Sequence, residues 1–274
     1  ERLLYSDEPV VAVWGPPGTG KTTLLVDWLL HLFPTESEAP WPSILIAGPT
    51  HVAVTKLVTD LLKKARHLAD EVVRYGRADH IEGTALAPMW HEALLAPFSD
   101  AEATADPADH LLVRWGRLLR SREGRENIAK WLLGPRHVHA ATCVGMARRD
   151  FGLSRREFDI VIIDEAGKAF DAEILLPAAR ARRLVLVGDH YQLPPTVTSD
   201  VLDEEIGYRL PLAEVEELLR RNCFQDMFDE LPVDAKGMLT MQYRMHKDIG
   251  ELVSGLFYDG KLDSYRREKD WKLS

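Results

Sequence analysis

The 274-residue sequence is poor in cysteine, has no long apolar run and carries no net positive charge. Its two cysteines, Cys143 and Cys223, are too far apart for a CxxC metal site and too few for a disulfide framework, so small buried thiols are expected. The longest apolar runs, such as residues 160–163, are far shorter than the roughly 20 residues that cross a bilayer. The N-terminus lacks the basic and then apolar layout of a signal peptide. We therefore expect no membrane partner and a cytoplasmic, nucleoid-associated or nuclear location.

The net charge of −9 argues at first against a nucleic-acid partner, because phosphate binding draws on lysine and arginine. The charge is unevenly distributed along the chain. Residues 114–156 contain 11 Lys plus Arg against 3 acidic residues, whereas residues 200–234 contain 11 acidic residues against 3 Arg. Solvated helix faces would account for either run, but the first also permits a local basic surface on an acidic protein.

Short runs rich in valine and isoleucine alternate with helix-like stretches, a pattern typical of a parallel sheet buried on both faces. The predicted strands are residues 10–14, 44–47, 138–142, 160–163, 184–187 and 238–240. The predicted helices are residues 21–33, 52–69 and 172–181. Between about residues 70 and 135 valine and isoleucine nearly vanish and leucine recurs at helical spacing, which indicates a helical insertion. This order predicts a doubly wound α/β domain.

The strongest motif follows the first predicted strand and opens the first predicted helix: residues 15–22 are GPPGTGKT, a complete G-x-x-x-x-G-K-T. Glycines allow backbone N–H groups to point at phosphate oxygens, and the helix N-terminus adds its positive end. Lys21 is expected to bridge the β- and γ-phosphates of ATP, and the Thr22 hydroxyl to hold Mg²⁺. The expected ATP-binding residues of this segment are Gly15, Pro16, Pro17, Gly18, Thr19, Gly20, Lys21, Thr22 and Thr23.

An acidic pair, Asp164 and Glu165, follows the apolar run at residues 160–163. Carboxylates at the tip of a buried strand are costly unless a positive group lies beside them. Asp164 is therefore expected to bind Mg²⁺ through water, and Glu165 to act as general base for the attacking water. Together with the P-loop, this pair predicts a nucleotide-hydrolysing enzyme and leaves its class open.

Five sequence blocks resemble, in the same order, those of the superfamily 1 helicases of the senataxin and nonsense-mediated-decay branch. They are residues 15–23 (GPPGTGKTT), 47–54 (AGPTHVAV), 141–145 (ATCVG), 186–195 (LVGDHYQLPP) and 241–246 (MQYRMH). The resemblance implies a RecA-like P-loop fold. Its first domain would comprise residues 1–69 and 136–236 around a helical insertion at residues 70–135, and a second RecA-like domain would begin at residues 237–274.

The resemblance also implies roles at single positions. Gln192 would sense the γ-phosphate and orient water, Tyr243 would stack on the base of ATP, and Arg244 would be an arginine finger. A loop cap, a core ring and a surface ion pair are the respective alternatives. Nucleic-acid contacts are implied at four positions where small polar groups and backbone N–H donors suit a sugar-phosphate backbone. These positions are Thr50, His51, Thr142 and Val144.

The sequence departs from the family pattern at several places. Lys168 replaces the glutamine of the usual DEASQ or DESTQ segment, which puts the hydrogen-bonding role of that position in doubt, and His51 replaces the usual asparagine. Nothing after Lys261 resembles the later motifs. The second RecA-like domain is therefore expected to be incomplete, and the 274-residue chain alone is expected to hydrolyse ATP slowly without unwinding a duplex.

The sequence thus predicts a nucleic-acid-stimulated ATPase that uses ATP and Mg²⁺, from a helicase that moves 5′-to-3′ on single-stranded DNA or RNA. One alternative is an ATP-gated nucleic-acid clamp that does not unwind. A second is a P-loop ATPase that remodels proteins, which would leave the segments around Thr50 and Thr142 without a role. Stimulation of the ATPase by a single strand would distinguish these functions.

Overall fold

The computed structural model describes residues 2–34, 40–99, 110–195, 214 and 221–265, so most of the acidic stretch at residues 200–234 lies outside the described residues. Within the described part, seven strands form one sheet in which all neighbouring strands are parallel. They are β1 (Val10–Trp14), β2 (Ile44–Gly48), β3 (Val72–Arg74), β4 (Val138–Thr142), β5 (Phe158–Asp164), β6 (Ala181–Gly188) and β7 (Lys236–Met238). Their order across the sheet is β3-β4-β2-β5-β6-β1-β7, which confirms the predicted RecA-like α/β fold.

The described helices connect these strands and follow them. They are α1 (Lys21–Leu32), α2 (His51–Lys64), α3 (His91–Ser99), α4 (His110–Arg120), α5 (Arg122–Leu133), α6 (Asp171–Ala178), α7 (Cys223–Glu230) and α8 (Lys247–Phe257). Helices α3, α4 and α5 all lie within the predicted helical insertion. After β7, two short strands, β8 (Met241–Gln242) and β9 (Asp263–Ser264), pair in parallel as a separate small sheet on either side of α8. Searched over the described residues, the helices include none with the length and apolar character of a membrane span.

Successive side chains along each strand point to opposite faces of the sheet, and a buried cluster covers each face. On one face, Ile46 of β2 belongs to a buried cluster with Leu25 of α1 and Leu57 of α2. On the opposite face, Ile163 of β5 belongs to a second cluster with Leu119 of α4. The two clusters account for the near-continuous apolar sequence of the central strands, and they leave the ends of those strands to carry polar groups.

Several predicted bounds are wrong. The second predicted helix ends at Lys64 and gives way to a 3₁₀ helix at Arg66–Glu71, so it does not reach residue 69. The third ends at Ala178, because Ala181 already begins β6. The last strand of the sheet comprises residues 236–238 and not 238–240, and it pairs with β1.

The edge strand β3 was not predicted from the sequence. It lies at residues 72–74, inside the segment assigned to the helical insertion, and pairs with β4. Three residues are too few to show the period-two alternation by which strands are recognised. The sheet is therefore one strand wider than the apolar runs indicated.

Candidate active site and nucleic-acid interface

The P-loop leaves β1 and turns sharply into α1. Gly18 and Gly20 have φ angles of +75° and +83°, in the left-handed region that glycine adopts without a steric cost. The backbone N–H of Gly15 donates to the carbonyl of Gly188 at 2.8 Å, and the Thr19 hydroxyl donates to the carbonyl of Pro16 at 2.7 Å. These contacts fix the loop between the ends of β1 and β6, with Pro17 partly buried in it.

The Lys21 side chain folds back over this loop. Its Nζ donates to the carbonyl of Gly15 at 2.7 Å. Burial lowers the pKa of Lys21, while the negative charges of Glu165, Asp189 and Asp164 act in the opposite direction. The predicted phosphate-binding ammonium is thus partly desolvated and lies near the acidic groups at the ends of the neighbouring strands.

Asp164 is the last residue of β5 and is only 4% exposed. Its Oδ1 accepts the backbone N–H of Glu165 at 3.0 Å. Burial, and then the charge of Glu165, raises the pKa of Asp164 to about 6. A carboxylate that is disfavoured as an anion fits a site that a divalent cation neutralises. Thr22 on the first turn of α1 is the other predicted ligand, and no cluster of three or more His, Cys, Asp or Glu exists among the described residues to hold a metal elsewhere.

Glu165, the predicted general base, has an unusual backbone and a cationic partner. Its φ of 58° is left-handed, which is uncommon for a residue other than glycine. Its Oε2 lies 3.1 Å from the Nζ of Lys168, in a partly exposed ion pair. The departure from the family pattern at position 168 therefore places an ammonium directly against the predicted base.

The buried carboxylate of Asp189 accepts four hydrogen bonds from three parts of the chain. Its Oδ1 accepts the indole N–H of Trp14 at 3.0 Å and the backbone N–H of Tyr191 at 3.2 Å. Its Oδ2 accepts the side-chain amide of Gln192 at 2.9 Å and the hydroxyl of Tyr258 at 2.8 Å. Asp189 thus connects the strand before the P-loop, the loop after β6 and the end of α8.

This network holds the predicted γ-phosphate sensor. The amide nitrogen of Gln192 is engaged by Asp189, which leaves its carbonyl oxygen to orient a water. Asp189 lies in the LVGDHYQLPP block, but its role was not predicted from the sequence. Tyr258 lies outside all five blocks, and only its three-dimensional contact identifies it.

The QYRMH segment touches the P-loop. The backbone N–H of Tyr243 donates to the carbonyl of Gly18 at 2.9 Å, and a Cβ added to Gly18 would lie 2.6 Å from the Cβ of Arg244. The Tyr243 ring is 59% exposed and therefore is not a core ring. The fully buried Gln242 shapes this turn, since its Oε1 accepts the backbone N–H groups of Arg244 and Met245 at 2.8 and 2.6 Å. This positioning role of Gln242 was not predicted from the sequence.

The predicted nucleic-acid residues lie at the ends of β2 and β4. These strands are neighbours, with Gly48 opposite Thr142. Thr50 caps α2, because its Oγ1 accepts the N–H of Ala53 at 3.2 Å, and Thr142 Oγ1 accepts the N–H of Gly145 at 3.0 Å. His51 is half-buried at the start of α2, and Val144 is exposed. The two segments therefore present caps and small side chains at one edge.

This edge adjoins the residues that are predicted to bind the nucleotide. A Cβ on Gly48 would lie 3.2 Å from the carbonyl oxygen of Asp164, so the ends of β2 and β5 are in close backbone contact. Within the basic stretch, Arg148 and Arg149 are exposed in the turn after β4, and Arg148 is paired with Asp150 at 2.7 Å.

Replacing Asp164 with Asn should stabilise the protein in the absence of metal and nucleotide. The folded-state pKa of Asp164, about 6, exceeds the unfolded value, so the folded state binds more protons between about pH 4 and 6 and loses stability as pH rises through that window. Urea unfolding in a chelator should show Asp164→Asn more stable by roughly 1–3 kcal/mol near neutral pH, with the difference disappearing near pH 4. A less stable variant near neutral pH would contradict the buried-charge assignment.

Replacing Tyr258 with Phe should lower the free energy of unfolding by about 1.5–3 kcal/mol, the range for a hydrogen bond to a charged group. The change removes the donor to Asp189 Oδ2 and nothing else. The matched control is Tyr5→Phe, since Tyr5 is 53% exposed. Equal unfolding free energies for the two variants would mean that the Tyr258 contact contributes nothing.

Comparison with known proteins shows the family of this chain. A family model described as an AAA domain matches residues 2–97 and 99–200, and a second model of the same description matches residues 219–274. DNA-binding protein SMUBP-2 of Mesocricetus auratus is 30% identical over 284 residues, with 95% of this chain and 26% of that protein covered. ATP-dependent helicase upf1 of Schizosaccharomyces pombe is 28% identical, with 94% of this chain and 26% of that protein covered.

The chain thus spans about a quarter of the length of these curated relatives. Among solved structures, the complex of Arterivirus nonstructural protein 10 (helicase) with DNA is similar with a TM-score of 0.47 at 13% identity, covering 99% of this chain and 47% of that chain. The two family models together take in the P-loop, the acidic pair and the QYRMH segment. The chain belongs to the AAA-domain family that these models define, in the superfamily 1 helicase branch of senataxin and the nonsense-mediated-decay helicases.

Proposed function

We propose that this chain is the ATP-hydrolysing part of a helicase that uses ATP and Mg²⁺ to move 5′-to-3′ along single-stranded DNA or RNA. The location would be the cytoplasm, a nucleoid or a nucleus. One observation carries the proposal: the nucleotide residues at the ends of β1, β5 and β6 share an edge with the nucleic-acid residues at the ends of β2 and β4. The relatives support it, since SMUBP-2 is a DNA-binding protein and upf1 an ATP-dependent helicase.

Nucleotide binding would use groups that now bond to one another. Lys21 would exchange the carbonyl of Gly15 for the β- and γ-phosphates, and the N–H groups of the P-loop would surround the phosphate oxygens. Thr22 and Asp164 would hold Mg²⁺, which neutralises negative charge on the phosphates when bound. Tyr243 would stack on the base from its exposed position beside the P-loop.

Hydrolysis would pass a proton to Glu165. The oxygen of a water forms a bond to the γ-phosphorus, the bond from that phosphorus to the bridging oxygen of ADP breaks, and Glu165 takes the proton of the water. Gln192, held by Asp189, would orient this water, and Arg244 would neutralise charge on the transferred phosphoryl group. The Nζ of Lys168 lies 3.1 Å from the Oε2 of Glu165, so the attacking water would share this carboxylate with an ammonium.

Strand binding would engage Thr50, His51, Thr142 and Val144 through the sugar-phosphate backbone, without reading sequence. The close contact of Gly48 with the carbonyl of Asp164 offers a short route between the strand and the nucleotide. A phosphate-binding surface on the exposed turn at residues 148–149 would extend this path.

The ATPase of the wild-type chain should rise when a short thymidine or uridine oligomer is added. Lys21→Ala should lose ATP binding and hydrolysis, because the phosphates lose their cation. Glu165→Gln should bind ATP normally and turn over about 10²–10⁴-fold more slowly, because it lacks the base. Steady-state hydrolysis and equilibrium binding of a fluorescent ATP analogue measure the two effects separately.

The assays with added oligomer distinguish the proposed motor from the alternative functions. A strand that binds only with ATP and leaves turnover unchanged would indicate a clamp. An ATPase that neither binds nor responds to either oligomer would favour a protein-remodelling function and would overturn the proposal. Near-normal turnover by Glu165→Gln would remove Glu165 as the base.

A further inference from the structure

Arg74 is a buried arginine without an acidic partner. It ends the edge strand β3 and is 0% exposed. It forms no ion pair in the part of the chain that the structure describes, and its Nε has no hydrogen-bond partner there. Burial lowers its pKa to about 10, so the guanidinium stays charged at neutral pH. Burying a cation without an acidic partner is costly, so the groups that its guanidinium contacts must offset that cost.

The guanidinium of Arg74 contacts the ring of His51. Its Nη1 donates to the carbonyls of Tyr75 and Ala140, and its Nη2 lies 3.0 Å from the Nδ1 of His51. A guanidinium has donors only, so Nδ1 must be the acceptor and cannot carry a proton. The remaining proton of a neutral imidazole then lies on Nε2. Burial, followed by the charge of Arg74, lowers the pKa of His51 to about 4, in keeping with a neutral ring.

The ring of His51 is held on its faces and edge as well. It stacks on His80, with ring centroids 4.0 Å apart and planes inclined by 19°. A Cβ on Gly76 would lie 3.2 Å from its Cε1, so the backbone at Gly76 packs against the ring edge. Nε2 is neither buried nor hydrogen-bonded among the described residues. The ring therefore has one fixed orientation and one available donor.

His51 also lines a groove beside α2. The groove has a volume of about 470 Å³ and runs along α2 from His51 past Thr55, Lys56, Thr59 and Lys63. Asp60 also lines it and forms an ion pair with Lys63 at 2.8 Å. Hydroxyl and ammonium groups of this kind bind phosphate and sugar oxygens. Asp79 and His80 line its other side.

We propose that Arg74 is a positioning residue for strand binding: it holds His51 as the neutral tautomer whose Nε2–H donates to a phosphate or sugar oxygen of a single strand in this groove. The inference rests on the proposed function. It also explains in physical terms how His51 can replace the asparagine that is usual in the family. The asparagine common in the family is a neutral N–H donor by itself, whereas histidine needs a fixed tautomer to provide one.

A double-mutant cycle tests this role. The four proteins are wild type, Arg74→Met, His51→Asn, and the two changes together, and the measurement is the dissociation constant for a fluorescent thymidine oligomer and for a uridine oligomer at one salt concentration. Arg74→Met should weaken binding by about 10–150-fold in the His51 protein, the worth of one hydrogen bond to a charged group. In the His51→Asn protein the same change should alter binding less than about twofold, because asparagine needs no tautomer.

An equal loss in both backgrounds would make Arg74 merely structural, and no loss in either would also overturn the proposal. Failure of the wild type to bind either oligomer would instead refute the proposed function. If Arg74→Met does not fold, the wild type still decides the question through the ¹⁵N chemical shifts of His51 near neutral pH. These should show protonated Nε2 and unprotonated Nδ1, and a proton on Nδ1 would contradict the proposal.

Discussion

Parallel pairing of the strands is the constraint on which the other features depend. When β1, β6, β5, β2 and β4 run in the same direction, their carboxyl ends meet at one edge, and each following loop begins there. The P-loop, the acidic pair, the Gln192 loop and both predicted strand-binding segments are therefore neighbours, although they are spread along the sequence from residue 15 to residue 195. Burial of the sheet on both faces leaves the ends of the strands to carry the polar side chains.

At this edge the buried carboxylate of Asp189 holds the loops together by hydrogen bonds. Asp189 accepts hydrogen bonds from Trp14, Tyr191, Gln192 and Tyr258, so a change in any one of these elements is felt at the same carboxylate. Aromatic rings surround it, with the Trp14 ring centroid 5.8 Å from that of Tyr258. If one donor were removed, water would replace it poorly, so the hydrogen bonds to Asp189 depend on one another. It offers a physical link between the nucleotide loops and the segment that carries Arg244.

Most strands of the sheet were predicted from the sequence, because buried strands appear as apolar runs. The turn between β1 and α1 was predicted as well, because it carries a complete P-loop motif. These patterns missed β3, which is too short for periodicity, and the contacts that only folding creates. Arg74 and Tyr258 lie in no motif, and their roles depend on partners 23 and 69 residues away. Glu165 was predicted as a base from its position, but its ion pair with Lys168 follows from a left-handed turn that the sequence did not indicate.

The central claim is that nucleotide and single strand occupy adjacent, coupled sites on one edge of the sheet. Its most direct measurement is equilibrium binding of a non-hydrolysable ATP analogue with Mg²⁺, with and without a saturating thymidine oligomer, and of the oligomer with and without the analogue. Coupled sites predict that each ligand changes the affinity of the other by the same factor, about fivefold or more. Binding of both ligands with no change in either affinity would contradict the account.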